Sequence, residues 1–254
     1  MSDVVALLQA RTTSTRFPGK VLKPILGVPM LARQIERVRR AKLIDNLVVA
    51  TSDDESDNDI ACLCHSIGVD VHRGSLLDVL DRMTQAARFY EADWIVRLTG
   101  DCPLTDPGVI DAAIEMAVAG EYDYVSNALE PTYPDGVDVE VLRAPVLECA
   151  WKEAKLASER EHVTPFIYKR PCRFRIGQLK AMDDSSHLRL TVDEPRDFEL
   201  VSEIYERLYP CDPAFSLDDV LELMRREPEL AARNAGYVRN EGYLKSIGNE
   251  KNEE

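Results

Sequence analysis

Three cationic side chains lie close together near the start of the chain: Arg11, Arg16 and Lys20. They directly follow the apolar run of residues 4–8, which predicts a buried strand, while the glycines and prolines within residues 10–28 predict a loop. Guanidinium forks and an ammonium group at the end of a strand suit the phosphates of a nucleoside triphosphate. A solvated surface loop is the alternative interpretation.

The positive charge of this stretch is local. Residues 10–42 contain nine Lys and Arg but one acidic residue, whereas the whole 254-residue chain has a formal net charge of −14. The stretch is not a P-loop, because Gly19-Lys20 lacks the earlier glycine and is followed by Val21 instead of Ser or Thr. The chain has no Gly-x-Gly-x-x-Gly either, so nothing supports a dinucleotide-binding fold.

Two aspartates stand where later strands are predicted to end. Asp101 follows Gly100 just after the apolar run 94–98, and Asp193 ends the run 188–192 before the helix-starting Pro195. Mg²⁺ prefers one or two carboxylates together with phosphate oxygens. The two aspartates are therefore a candidate metal site. The alternative for Asp101 is an Asx turn or a helix-start carboxylate, and in the later stretch Glu194 or Asp197 is the candidate for a simple helix-start acid.

The elements that must position these residues alternate between strand and helix. Such alternation predicts βαβ units and a parallel sheet, which binds ligands at the carboxyl ends of its strands. The predicted strands of the first half are 4–8, 47–50, 69–72 and 94–98, and the predicted helices begin at Pro29 or cover 53–67, 75–90 (with Ser75 as its cap) and 106–120.

The rhythm changes after residue 120. We predict one domain over residues 1–254, in which about 120–180 form an elaboration for acceptor or dimer contacts and about 248–254 a frayed polar tail. The predicted strands here are 122–125, 137–141, 174–178 and 188–192, and the predicted helices are 143–156, 158–169, 195–208 and 216–226.

Composition narrows the class of protein. An acidic chain argues against a dedicated binder of nucleic acid or of anionic membranes, because either would need a basic surface. The first apolar run is too short for a signal peptide or a membrane span, which predicts a cytoplasmic protein with six reduced cysteines.

Taken together, the motifs resemble the sugar-acid cytidylyltransferases of the CMP-Kdo synthetase and acylneuraminate type. The run 10–22 resembles the signature of that family, Gly100-Asp101-x-Pro103 its metal loop, and the run 192–197 its late Asp-x-Pro-x-Asp element. The runs 133–140, 159–165 and 239–243 resemble the spore coat polysaccharide (SpsF) subgroup.

The resemblance implies a Rossmann-like, mostly parallel α/β sheet of the nucleotide-diphospho-sugar transferase type, and a homodimer. It implies transfer of CMP from CTP to a hydroxyl of a sugar acid, with Mg²⁺ and release of pyrophosphate, for surface polysaccharide biosynthesis. By position, Asp101 and Asp193 would hold the Mg²⁺. The catalytic residues would be Arg11, Arg16, Lys20 and Asp101.

The resemblance also assigns binding residues by position, and a sugar acid needs a cation for its carboxylate and acceptors for its hydroxyls. The predicted nucleotide-binding residues are Ala10, Arg11, Ser14, Arg16, Lys20, Thr51, Ser52, Arg73, Asp78, Arg82 and Gly100. The predicted acceptor-binding residues are Asp138, Glu140, Arg160 and His162.

Three other functions remain open from the sequence. A sugar-1-phosphate nucleotidyltransferase usually has a glycine-rich phosphate loop, and Ala10-Arg11 stands there instead. A non-catalytic nucleotide-binding paralogue in polysaccharide assembly is disfavoured by the retention of Lys20, Asp101 and Asp193 together. A glycosyltransferase would need an Asp-x-Asp motif, and neither Asp57-Asn58-Asp59 nor the similar Asp138-Val139-Glu140 is well placed for one.

Overall fold

A seven-stranded sheet forms the centre of the computed structural model, which describes residues 3–237 and 239–253. The strands are β1 (Val4–Gln9), β2 (Pro24–Ile25), β3 (Val28–Pro29), β4 (Asn46–Ser52), β5 (Asp70–Gly74), β6 (Trp94–Thr99), β7 (Tyr124–Ser126), β8 (Glu140–Arg143) and β9 (Ile176–Gln178). The order across the large sheet is β5-β4-β1-β6-β8-β7-β9, and β2 pairs with β3 as a separate hairpin.

Helices cover both faces of this sheet. They are α1 (Met30–Val38), α2 (Asn58–Ser66), α3 (Val79–Phe89), α4 (Pro107–Ala119), α5 (Ala144–Glu153), α6 (Ala157–His162), α7 (Pro165–Tyr168), α8 (Pro195–Leu208), α9 (Leu217–Arg226), α10 (Pro228–Ala232) and α11 (Glu241–Glu253). Two 3₁₀ turns, Lys20–Leu22 and Glu55–Asp57, lie in the loops after β1 and β4. Among the described residues, no helix combines the length and apolar content that a membrane span requires.

The central strand β1 pairs in parallel with β4 on one edge and β6 on the other, and helices bury both of its faces. Ala6 and Leu8 point into the core that contains α1, α4 and α8, while Val5 and Leu7 point into the core beneath α3 and α5. The prediction of a mostly parallel α/β sheet is confirmed. Its consequence is that the carboxyl ends of β1, β4 and β6 meet at one edge.

The segment 120–180 contributes three strands to this same sheet. β8 runs antiparallel to both β6 and β7, and β7 pairs in parallel with β9. Because β8 enters directly beside β6, its first residue, Glu140, lies next to the loop that holds Asp101. The role of this segment in acceptor or dimer contacts stays a prediction.

Two predicted strands are corrected. Residues 188–192 form a single bridge, Arg189 with Asp135, because the backbone of this segment bonds to other loops: Leu190 N–H to Asp135 O, and Val192 N–H to Asp101 O. The strand predicted over 137–141 begins only at Glu140. The Asn127 amide binds the backbone of residues 137 and 139 in place of a strand neighbour.

Two predicted helices are corrected as well. The helix predicted over 158–169 is divided into α6 and α7 at Val163, whose φ is 72°. Ser75 does not cap α3; Asp78 does, accepting the Asp81 N–H at 2.9 Å, while the Ser75 hydroxyl accepts the Asp78 N–H. Local sequence patterns do not distinguish two capping residues that lie three positions apart.

The end of the chain contains two helices that the sequence analysis did not predict, α10 and α11. The polar segment from Gly248, expected to be a frayed tail, is described as helix up to Glu253, and residue 254 lies outside the described residues. The N-terminal end of α11 reaches the sheet edge described above, and this places residues 239–243 near the candidate site.

Gly136 provides a test of how the turn before β8 is held. Its φ is 108°, and a β-carbon there would collide with the backbone of Leu190 and Thr191. We expect Gly136→Ala to lower the free energy of unfolding by more than the roughly 1–2 kcal/mol of left-handed strain alone. Gly27→Ala is the control, because Gly27 has φ 75° but no neighbouring atom within 4 Å. Equal losses in urea denaturation would contradict the steric argument.

Candidate active site

A cleft of about 570 Å³ opens at the carboxyl ends of β1 and β6. Of the predicted site residues, the structure brings twelve to its lining. They are Ala10, Arg11, Ser14, Arg16, Lys20, Arg82, Gly100, Asp101, Asp138, Glu140, His162 and Asp193. Thr51, Ser52, Arg73, Asp78 and Arg160 do not line it.

Lys20 is the buried charge at the floor of the cleft, with only 7% of its surface exposed. Its ammonium donates to Asp193 Oδ1 at 2.9 Å and to the Val192 carbonyl at 2.7 Å, and lies 3.5 Å from Asp101 Oδ2. Burial alone would lower the pKa of Lys20, but the two carboxylates outweigh it and the pKa is raised. Lys20 therefore stays charged.

The two predicted metal aspartates converge on this ammonium from distant parts of the chain. Burial opposes the charged form of Asp101, but the Lys20 charge and a hydrogen bond from Thr99 lower its pKa, so it stays ionised. Arg16 Nη2 lies 3.0 Å from the other oxygen of Asp193. A cation is thus already held between both carboxylates and a carbonyl oxygen.

Asp101 and Asp193 could also hold a divalent cation, which is hard and prefers oxygen ligands. Among residues 3–237 and 239–253, no cluster of three or more His, Cys, Asp or Glu side chains could hold a metal. A cation bound by Asp101 and Asp193 would therefore complete its coordination with water or with phosphate oxygens.

The loop after β1 carries the other predicted phosphate ligands. Gly19, at φ 68°, turns the chain into the 3₁₀ turn that begins with Lys20. The Ser14 hydroxyl accepts the Phe17 N–H at 3.3 Å and so folds the loop back on itself. Opposite, a β-carbon on Gly100 would lie 3.0 Å from the Ala10 β-carbon, which explains the glycine at this close approach.

Arg82 and Arg11 differ from the other guanidinium groups of the cleft. Within the described residues, neither forms an ion pair with a carboxylate, although Arg82 is only 2% exposed. Arg82 donates to the Ser75 carbonyl at 2.5 Å, and its Nε has no hydrogen-bond partner there. Burial and the neighbouring Arg11 charge lower the pKa of Arg82 to about 10. Two unpaired cations facing one cleft form a site for an anion.

The predicted nucleotide ligands outside the lining have structural partners. Thr51 and Ser52 are fully buried at the end of β4, and Arg73 donates to the Ser52 and Asp54 carbonyls and to Asn58. Asp78, the cap of α3, forms an ion pair with Arg160 at 2.5 Å. Nucleotide binding by these residues, and acceptor binding by Arg160, stay predictions.

The remaining predicted acceptor ligands lie on the β8 side of the cleft. Glu140 is paired with Arg97 and accepts the Tyr124 and Thr164 hydroxyls at 2.5 and 2.6 Å. The His162 Nε2 lies 3.0 Å from the Ser246 hydroxyl of α11, and burial lowers the pKa of His162. The β8 side of the cleft is thus closed partly by α11.

Asp138 also lies on this side of the cleft. It pairs with Arg239, yet burial, reinforced by Asp135 and Glu140, raises the pKa of Asp138 to about 7. Its protonation state therefore changes near neutral pH.

Sequence reasoning missed several residues that shape the cleft. Arg189 donates to both oxygens of the buried Asp197, at 2.9 and 2.8 Å, and also pairs with Asp135 and Asp193. Asp197 itself accepts the Asp193 and Glu194 N–H groups, which is the helix-start role left open for it. The one available signal for Arg189 was a lone cation inside an apolar run. Residues 240–243 also line the cleft, but the resemblance of the run 239–243 predicted no role for them.

Comparisons with known proteins agree with this geometry. A family model described as Cytidylyltransferase matches residues 5–245. An uncharacterized protein of Methanocaldococcus jannaschii is 36% identical over 94% of this chain and 97% of its own length. The spore coat polysaccharide biosynthesis protein SpsF of Bacillus subtilis is 34% identical over 91% and 98%.

Two further proteins carry more specific descriptions. A 3-deoxy-manno-octulosonate cytidylyltransferase of Trichlorobacter lovleyi is 30% identical over 79% of this chain and 98% of its own. The solved structure of a cytidylyltransferase from Leptospira borgpetersenii superposes with a TM-score of 0.89 at 31% identity, covering 94% of this chain and all of that one. The chain therefore belongs to the cytidylyltransferase family and is a CTP-dependent nucleotidyltransferase.

Proposed function

We propose that this protein transfers CMP from CTP to a hydroxyl group of a sugar acid and releases pyrophosphate, in the synthesis of a surface polysaccharide. The observation that carries the proposal is the buried Lys20 ammonium, held between Asp101 and Asp193 on the floor of the cleft. The names of the relatives from Bacillus and Trichlorobacter support the acceptor class and the pathway. A cytoplasmic location and a homodimer stay predictions.

The cations of the cleft divide into two groups when CTP binds. Arg11 and Arg82 have no carboxylate partner among the described residues, so phosphate oxygens can pair with them without breaking an ion pair. Arg16 must instead exchange Asp193 or Glu241 for a phosphate oxygen. Arg11 and Arg82 therefore attract the triphosphate, and Arg16 binds it after its own ion pairs have been exchanged.

Asp101 and Asp193 would hold Mg²⁺. When bound, such an ion polarises a phosphate oxygen and neutralises charge. The acceptor oxygen attacks the α-phosphorus in line, forming one P–O bond while the bond to the pyrophosphate oxygen breaks. Lys20, which lies beside both carboxylates, and Arg16, which pairs with Asp193, stabilise the negative charge that grows on the leaving pyrophosphate.

The acceptor hydroxyl must also lose its proton. Asp138 lines the acceptor side, and its pKa of about 7 suits a group that takes up a proton near neutral pH. Glu140 already accepts from three neighbours, so it supports the wall of the site and is less free to receive the proton. His162 faces the same space and can bind a hydroxyl or carboxylate of the acceptor.

The direct test is release of pyrophosphate from each of the four nucleoside triphosphates with Mg²⁺. We expect release from CTP with one of a panel of sugar acids (Kdo, neuraminic, legionaminic and pseudaminic types). Release with a sugar 1-phosphate alone would contradict the acceptor class. CTP binding that raises the melting temperature, without transfer to any acceptor, would instead support a binding-only paralogue.

Removing the buried ammonium tests the centre of the site. We expect Lys20→Ala to lower kcat by about 10²–10³-fold, because a preorganised charge next to the leaving group is lost. Lys23→Ala is the matched control: Lys23 lies in the same loop but packs over the Phe17 ring at 5.0 Å. Circular dichroism would confirm folding of both variants, and full activity of Lys20→Ala would refute this site.

Asp138 gives the reaction a pH dependence. Since the acid is protonated below its pKa, we expect kcat/KM for the acceptor to fall as the pH decreases through about 7. Asp138→Asn should lower kcat by about 10²-fold and remove this limb of the profile. Glu130→Gln, which changes an exposed acid paired with Lys180, is the control. A limb that persists in Asp138→Asn would exclude Asp138 as the proton acceptor.

A further inference from the structure

Asp57, in the 3₁₀ turn after β4, is a fully buried acid that does not line the cleft. Its Oδ1 accepts the Thr12 N–H at 2.7 Å and lies 2.9 Å from the Thr12 hydroxyl, whose proton is shared with the Ser56 carbonyl at 2.9 Å. Its Oδ2 accepts the Ser52 N–H at 3.2 Å and the Ser52 hydroxyl at 2.5 Å. One carboxylate therefore joins the loop after β1 to the end of β4.

An acid just before a helix usually caps the N-terminus of that helix, but Asp57 does not. Asp57 stands at the N-cap position of α2, but its side chain makes no capping hydrogen bond. Burial opposes the charged form, yet the hydrogen bonds from Ser52 and Thr12 lower the pKa of Asp57, so the carboxylate is ionised at neutral pH. A buried charge is costly unless its bonds are all made, so its contacts hold a fixed geometry.

Thr12 passes this constraint to the residues of the site. Its carbonyl oxygen accepts the N–H groups of Ser14 and Gly19, both at 2.9 Å, and so closes the loop between its two ends. Arg11 precedes Thr12 in the chain, and Lys20 follows Gly19. The position of Thr12 therefore sets where both cations stand.

We propose that Asp57 is a positioning residue, which fixes the loop 11–20 through Thr12 so that Arg11 and Lys20 face the cleft before CTP arrives. This inference rests on one part of the proposed function, namely that Arg11 and Lys20 bind the triphosphate. A loop that is held in its binding conformation loses less entropy when the ligand binds. A small displacement of groups around the α-phosphate also costs rate.

The test uses Asp57→Asn, which keeps the size of the side chain but replaces one acceptor oxygen with a donor group. We expect kcat/KM for CTP to fall by about 10²-fold, while KM for the acceptor is unchanged, because the β8 side of the cleft is not disturbed. Asp54→Asn is the matched control: Asp54 lies in the same loop and accepts the Ser56 N–H at 2.9 Å, with no bond to Thr12.

Variants at Thr12 separate positioning from a purely structural role and remain informative if Asp57→Asn fails to fold. Thr12→Val removes the hydroxyl and should weaken CTP binding, whereas Thr12→Ser should restore it. In the double variant with Asp57→Asn, the losses should be smaller than their sum, since both act on one contact. Additive losses would overturn the route through Thr12.

Calorimetric titration with CTP, taken together with the KM values for CTP and for the acceptor, distinguishes the remaining outcomes. If the native protein binds CTP and Asp57→Asn binds it equally well, at whatever melting temperature, the positioning role is refuted and the proposed function stands. If both KM values rise together, Asp57 supports the fold in general and the inference is also overturned. If the native protein does not bind CTP, the proposed function and this inference both fail.

Discussion

The structure depends on one buried ammonium group that balances two carboxylates. Charges removed from water are costly unless they are paired and hydrogen-bonded. Lys20 meets that requirement only when the loop after β1, the end of β6 and the segment before α8 come together, because these parts supply the ammonium, Asp101 and Asp193. Correct assembly of this edge of the sheet therefore also brings Lys20, Asp101 and Asp193 together.

Alternating charges extend from this centre along the cleft. Asp193 is next to Arg189, which also pairs with Asp135 and Asp197, and Arg239 joins Asp135 to Asp138. The β1 side and the β8 side of the cleft are thus parts of one network. Most cations of the cleft have acidic partners in the described chain, whereas Arg11 and Arg82 form no ion pair with a carboxylate there.

The C-terminal part of the chain completes this cleft from the outside. Glu241 pairs with Arg16, and Ser246 bonds to His162, so α11 spans from the β1 side of the cleft to the β8 side. The helix packs on α6, where Glu250 accepts the N–H and hydroxyl of Ser158. A segment more than 200 residues from the loop after β1 in sequence therefore lines the same cleft.

The sequence alone determined the features that depend on neighbours along the chain. Apolar runs predicted β1, β4, β5 and β6, their alternation with helices predicted the parallel sheet, and loop position predicted that Lys20 and Asp101 lie in the cleft. Only the tertiary structure decided which charges meet: Arg160 pairs with Asp78 outside the cleft, and Asp57 holds Thr12. The strand expected over 188–192 was lost for the same reason. Its backbone partners are distant loops, and no local pattern records hydrogen bonds between residues far apart in the chain.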